Sequence, residues 1–182
     1  LIMADDLGYE TLTCNGGESY DTPNLDSMAT SGIRFTNAFS MPLCTPSRVQ
    51  IMTGKYNFRN YEKFGYLNPQ ERTFANYLKD GGYRTAIAGK WQLDGDAETP
   101  YKFGFDTYLL WQLSSGDFWR RYKAPRFSKD GEIFDFSFGS SEYGPDIFTD
   151  FILDFIDKPS DKPFFVYYPM ALVHDPFQPT PL

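Results

Sequence analysis

The sequence is poor in the residues that build metal-rich, disulfide-linked or membrane-spanning proteins. Its 182 residues include two cysteines and one histidine, and no run of about 18 apolar residues could cross a membrane. Lys and Arg number 17 against 24 Asp and Glu, so the net charge is −7. An acidic chain argues against a nucleic-acid partner, although a few clustered cations can still bind a small anion. The composition therefore predicts a globular protein with no membrane span and no nucleic-acid partner.

The most informative stretch of the chain runs from Cys44 to Gly54 and reads Cys-Thr-Pro-Ser-Arg-Val-Gln-Ile-Met-Thr-Gly. Pro46 suits the first position of a helix, which would put Thr45 at the N-cap and end the helix at Gly54. Cys44 would then lie just ahead of a helix N-terminus, where free N–H groups stabilise a thiolate or another anion. Arg48, about one helical turn later, adds a fixed positive charge. A small, unreactive, buried thiol is the alternative interpretation of Cys44.

Alternating apolar and helical patterns predict an α/β fold with a mostly parallel sheet flanked by helices. Strands are expected at residues 1–4, 33–39, 83–88 and 164–168, and helices at residues 23–31, 46–53, 74–80 and 146–157. The aromatic stretch 101–144 predicts loops and a hairpin.

Each predicted strand runs into polar residues that could carry chemistry. Because the carboxyl ends of parallel strands meet at one edge of a sheet, we expect these residues to lie close together. They are Asp5, Asp6, Cys44, Lys90 and His174.

Four segments of this sequence resemble the motifs of the type I sulfatases, a family within the alkaline phosphatase superfamily. Residues 44–54 match the signature Cys-x-Pro-Ser-Arg-x-x-x-x-Thr-Gly at every fixed position. Residues 4–9, Ala-Asp-Asp-Leu-Gly-Tyr, resemble the N-terminal metal motif, and residues 174–176 resemble a His-x-Pro segment. Residues 89–93 resemble Gly-Lys-Trp-His-Leu-Gly, except that Gln92 replaces the usual His and the next glycine comes one residue late.

The resemblance implies sulfate ester hydrolysis by a modified cysteine. A formylglycine-generating maturation enzyme would oxidise Cys44, and the hydrate of the resulting aldehyde would attack the sulfur atom. Asp5 and Asp6 would bind Ca²⁺, or Mg²⁺ in its place, with the modified Cys44 side chain against the metal. Disulfide formation between Cys14 and Cys44 would not fit this use of Cys44.

Three further residues receive roles from the same resemblance. Arg48 would stabilise the ionised hydrate, Lys90 and His174 would bind the sulfate, and His174 would also assist the leaving alcohol. In the family, the His at the position of Gln92 acts as a base, and a glutamine cannot take a proton there.

Residues 1–182 are expected to form the N-terminal part of a sulfatase catalytic domain that is incomplete at both ends. In the family a later segment contributes further metal ligands and a sulfate-binding lysine, so the resemblance implies that this stretch alone is inactive. Family membership also implies a periplasmic, extracellular or lysosomal location.

Other functions remain open at this point. Gln92 fits a degenerate sulfatase-like domain that binds sulfated glycans. A phosphatase or phosphodiesterase of the same superfamily is disfavoured by Cys44 and by the single histidine. A cysteine phosphatase requires five residues between its Cys and its Arg. Counted from Cys44, the Arg would have to be residue 50, which is Gln50 in this sequence. The substrate can be a carbohydrate or an aryl sulfate.

Overall fold

A mixed six-stranded sheet organises residues 1–114 and 118–181, the part of the chain that the computed structural model describes. Strands β1, β6, β2 and β3 pair in parallel in that spatial order, and β4 and β5 extend the sheet as an antiparallel hairpin next to β3. The predicted α/β fold with a mostly parallel sheet is confirmed. The strands are β1 (Ile2–Met3), β2 (Arg84–Lys90), β3 (Thr107–Trp111), β4 (Arg126–Lys129), β5 (Glu132–Asp135) and β6 (Phe164–Pro169).

Helix starts and ends follow local sequence signals. Pro23 opens the first helix after Thr22, and Thr73 and Asn76 form a reciprocal capping box at the start of the third. No helix within residues 1–114 and 118–181 has the length and apolar character needed to cross a membrane. The helices are α1 (Pro23–Ser31), α2 (Cys44–Thr53), α3 (Phe74–Asp80), α4 (Thr99–Lys102) and α5 (Gly144–Asp157).

The core lies against β2 and β3 and is rich in aromatic side chains. Trp91, Phe103 and Tyr108 are fully buried there. Helix α5 adds Phe148 and Phe155, which lie on its predicted apolar stripe and are both buried. Burial of one such side chain stabilises the fold by about 1.5–3 kcal/mol. The prediction that this stripe packs in the core is confirmed.

Two predictions about secondary structure are wrong. Residues 33–39 form no strand, and Ile33 and Phe39 are 83% and 93% exposed. An alternating pattern needs a neighbouring strand to become a strand, and no strand of the described chain pairs with this segment. The aromatic stretch 101–144 contains not only the expected hairpin but also β3, which lies inside the sheet next to β2.

The start of α2 also differs from the prediction, by two residues. Leu43 is the N-cap, and Cys44 is the first helical residue rather than the residue ahead of the helix. Thr45 does not cap the helix, because its hydroxyl accepts a hydrogen bond from the Gly65 N–H at 3.1 Å. Gly54 ends the helix as predicted, with a left-handed φ of 66° that glycine adopts without steric cost.

Asp106 directly precedes β3 and binds Thr85 near the start of β2. Its Oδ2 accepts hydrogen bonds from the Thr85 N–H at 2.9 Å and the Thr85 hydroxyl at 3.2 Å. Its Oδ1 lies 2.7 Å from Lys79 Nζ. Burial is the largest single influence and raises the pKa of Asp106, but the bonds from Lys79 and Thr85 together outweigh it and hold that pKa below its usual value.

Replacing Asp106 by Asn should therefore lower stability in a pH-dependent way. A depressed pKa means that the carboxylate stabilises the fold above its ordinary pKa of about 4 and loses this effect as the pH falls through the folded-state value. We expect Asp106→Asn to cost about 1 kcal/mol at pH 7 and less at acidic pH. Urea unfolding between neutral and acidic pH measures this. Asp161→Asn, in an exposed loop, is the control, and an equal loss for Asp106→Asn at all pH values would contradict the assignment.

Candidate active site

A buried ion pair joins the carboxyl ends of β1 and β2. Lys90 is the last residue of β2, and Asp5 follows β1 by two residues. Lys90 Nζ lies 2.6 Å from Asp5 Oδ2, and the two side chains are 2% and 7% exposed. Neither charge could be buried alone without a large cost, so each holds the other in place.

The loop after β6 is fixed to the same end of the sheet by the backbone of Asp5. The Asp5 N–H donates to the Leu172 carbonyl at 2.8 Å, and the Val173 N–H donates to the Asp5 carbonyl at 2.7 Å. These two bonds bring His174 towards Asp6, and His174 Nε2 lies 3.4 Å from Asp6 Oδ2. The structure thus brings Asp5, Asp6, Lys90 and His174 to one edge of the sheet.

Arg48 attaches α2 to the residues that follow β2. Its side chain is 2% exposed; Nη1 donates to the Trp91 carbonyl, and Nη2 to the Gln92 carbonyl at 3.4 Å. Arg48, Asp5 and Lys90 border the same narrow crevice, which is too small to hold a water molecule. Arg48 Nε is buried and has no hydrogen-bond partner among the described residues. A buried donor without a partner is rare in folded proteins.

Cys44 begins the helix that carries Arg48. Its thiol is partly buried, and Cys14 and Cys44 are both free, so no disulfide joins them. In residues 1–114 and 118–181 no hydrogen bond connects the Cys44 thiol to Asp5, Lys90 or His174. Cys44 thus follows an irregular segment rather than the strand that was predicted to deliver it, and its link to the other predicted site residues runs through α2 and Arg48.

Arg121 and Asp175 surround His174 and were not predicted. His174 Nδ1 lies 2.5 Å from Asp175 Oδ1 and 3.3 Å from Arg121 Nη2, which also donates to the Asp175 carbonyl. The Arg121 guanidinium is buried and lies 4.3 Å from the centroid of the Trp111 ring. Arg121 falls in the aromatic stretch that the sequence left unplaced, and no motif marks it.

Tyr122 binds the backbone of the loop that carries His174. The Tyr122 hydroxyl donates to the Ala171 carbonyl at 2.7 Å and also to the His174 carbonyl. Burial raises the pKa of Tyr122 to about 12, against a smaller opposing effect of Arg121. The phenol therefore stays protonated and remains a donor over the ordinary pH range.

The residues present do not complete a calcium site by themselves. Ca²⁺ takes about six to eight oxygen ligands, whereas Asp5 is bound to Lys90 and Asp6 faces His174. In the described ranges no three His, Cys, Asp or Glu side chains are grouped so that they could hold a metal. Calcium at Asp5, Asp6 and Cys44 therefore stays a prediction.

The chain belongs to the sulfatase family. The family model described as Sulfatase matches residues 1–181. Over 99% of its own residues, this chain is 33% identical to N-acetylglucosamine-6-O-sulfatase of Bacteroides thetaiotaomicron. Over 97% of its own residues, it is 31% identical to arylsulfatase J of Mus musculus. It spans 31% and 32% of the length of these two relatives.

Solved structures show the same similarity. One, a complex with its substrate D-glucosamine-2-N,6-O-disulfate, matches 98% of this chain with a TM-score of 0.83 and 32% identity, and this chain covers 35% of it. Another, a complex with a neocarrahexaose, matches 96% with a TM-score of 0.82 and 26% identity, and 45% of it is covered.

Replacing Lys90 by Met should destabilise the protein strongly, because it leaves the Asp5 carboxylate buried without a partner. We expect a loss of about 3–5 kcal/mol in the free energy of unfolding. The double variant Asp5→Asn/Lys90→Met should recover most of this loss.

Lys102→Met is the matched control. Lys102 lies 3.9 Å from Asp96 in an exposed pair, so its loss should be below about 1 kcal/mol. Urea unfolding of the four proteins measures these differences. Equal losses for Lys90→Met and Lys102→Met would show that the buried pair does not stabilise the fold.

Proposed function

We propose that the full-length protein hydrolyses a sulfate ester of a carbohydrate or aryl alcohol, using a formylglycine made from Cys44. The observation that carries the proposal is the meeting of Arg48, Lys90 and Asp5 around one narrow crevice at the carboxyl edge of the sheet. These residues come from three separate segments that each resemble a sulfatase motif. The sulfatase relatives support the reaction class, and N-acetylglucosamine-6-O-sulfatase and the glucosamine disulfate complex favour a sugar.

The proposed nucleophile lies at the first turn of α2. The aldehyde hydrate at position 44 supplies the attacking oxygen. Free backbone N–H groups at this helix terminus favour negative charge, and Arg48 is held one turn later. Arg48 Nε, which has no hydrogen-bond partner among the described residues, would supply a further donor if the crevice beside it opens. The helix start and Arg48 would together stabilise the ionised hydrate.

Lys90 and His174 are the proposed sulfate-binding residues. His174 is 26% exposed and lines an open cleft of about 870 Å³ together with Asp6, so a sulfate ester can reach it. In the state described here Lys90 contacts Asp5 instead of solvent. Its charge is therefore buried and balanced by the Asp5 carboxylate, and Lys90 would bind a sulfate oxygen only if this contact opens.

We further propose that residues 1–182 are the N-terminal part of a larger catalytic domain. Ile33, Phe35, Phe39 and Phe58 are 74–93% exposed, and so many exposed apolar side chains are typical of a surface that other residues cover. Asp5 and Asp6 would be this chain's share of a calcium site. The need for a maturation enzyme, and a periplasmic, extracellular or lysosomal location, rest on family resemblance.

The mass of the tryptic peptide from Phe35 to Arg48 tests the nucleophile. Full-length protein made together with a maturation enzyme should yield a peptide lighter than the sequence predicts, because the thiol has become an aldehyde. That protein should also cleave an aryl sulfate, and Cys44→Ala should abolish the activity. An unmodified thiol and no turnover would reject the sulfatase proposal.

Gln92 leads to a separate prediction about rate. Gln92 offers its backbone carbonyl to Arg48, which any residue at this position can do, whereas its side chain cannot accept a proton in the final step. We expect Gln92→His to raise the turnover of an aryl sulfate about tenfold or more. Gln70→His, in an exposed loop, is the control. A decrease with Gln92→His would indicate that proton transfer uses another group.

The non-catalytic alternative rests on Gln92 as well. A domain that binds sulfated glycans without cleaving them would bind a sulfated sugar with Cys44 unmodified and would show no turnover in either the natural or the Gln92→His form.

A further inference from the structure

A second cleft of about 480 Å³ lies beside His174. Its walls come from residues 118–124, residues 138–140, Pro176 and Gln178. Arg121 belongs to both places, because it contacts the His174 ring and also lines this cleft. The cleft therefore adjoins the proposed sulfate-binding residue.

The charges that line this cleft all have one sign. The chain has a net charge of −7, yet the charged residues in the lining are Arg120, Arg121 and Lys123. Arg120 lies 2.5 Å from Asp135, and Arg121 lies 3.6 Å from Asp175. Lys123 is exposed and has no ion-pair partner in residues 1–114 and 118–181, so its charge is available to a ligand.

Two exposed aromatic rings border the same cleft. Phe118 and Phe138 are 80% and 82% exposed. The Arg120 guanidinium lies 4.5 Å from the centroid of the Phe138 ring and holds that ring against the cleft wall. Flat apolar rings beside a few polar groups are typical of ligand clefts, and a ring face can pack against the C–H face of a sugar.

We propose that this cleft binds a neighbouring sugar residue of a sulfated glycan whose sulfate ester lies at His174. Lys123 would contact a second sulfate or a carboxylate group on that sugar, and Phe138 would pack against the sugar ring. This inference rests on the proposed function and narrows it, because a simple aryl sulfate has no part that would occupy the cleft. The substrate class is then an anionic oligosaccharide.

Binding of a disulfated disaccharide to full-length protein carrying Cys44→Ala tests the cleft without turnover. We expect Lys123→Ala to weaken binding roughly five- to tenfold through loss of one charge-assisted contact, and Phe138→Ala to weaken it as well. Both side chains are exposed, so neither variant should disturb folding. Lys162→Ala is the control, since Lys162 is exposed in the loop before β6, at the opposite end of that strand from His174. Titration calorimetry measures the dissociation constants.

Equal dissociation constants for Lys123→Ala and Lys162→Ala would overturn the proposal, and so would an absence of disaccharide binding. Turnover of an aryl sulfate by the matured natural protein tests the proposed function separately. Turnover together with Lys123-independent binding would keep the sulfatase proposal and reject the cleft. Lys123-dependent binding without turnover would support the cleft as the glycan site of a non-catalytic domain.

Discussion

The buried contact between Lys90 and Asp5 is the constraint on which the rest of this site depends. Two full charges lie 2.6 Å apart at the ends of strands that do not pair with each other, since β6 lies between them. Strand β1 has only two residues, too few for its ladder to fix it firmly. The ion pair and the two backbone bonds of Asp5 to residues 172 and 173 therefore determine where the chain after β1 lies.

Helix α2 is positioned by the same end of β2. Arg48 uses the carbonyl groups of Trp91 and Gln92, which directly follow Lys90. Because these are backbone acceptors, side-chain changes at 91 and 92 can leave the bonds intact. The fixed position of Arg48 in turn fixes the first turn of α2 and with it Cys44. This arrangement ties the first turns of α2 to the end of β2, although no strand leads to Cys44.

The sequence was most informative where a strand ends in a charged residue. Lys90 after β2 and Asp5 after β1 could be placed together because parallel strands share one carboxyl edge. Residues 33–39 show the limit of this reasoning. Their alternation of apolar and polar side chains indicates which side chains would share one face of a strand, but not whether a neighbouring strand is there to pair with it. Arg121 could not be found from sequence, because its contacts with Trp111 and Asp175 depend on how an irregular segment folds back over β3.

The polar groups of the site fall into a buried set, Lys90 and Arg48, and a solvent-accessible set, Asp6, Cys44 and His174. Lys90 and Arg48 are buried and bonded to protein acceptors, so they shape the electrostatic environment without being freely exposed. Asp6, Cys44 and His174 retain access to solvent, and only they can meet a ligand without rearrangement. The cation in contact with His174 is Arg121, and its guanidinium already donates to the Asp175 carbonyl, so an anion bound at His174 would not have to order it. Gln92 contributes to this site in two separate ways. Its backbone carbonyl accepts a hydrogen bond from Arg48, whereas its side chain occupies the position at which a histidine would supply a base. The side chain can therefore change without loss of the contact to Arg48.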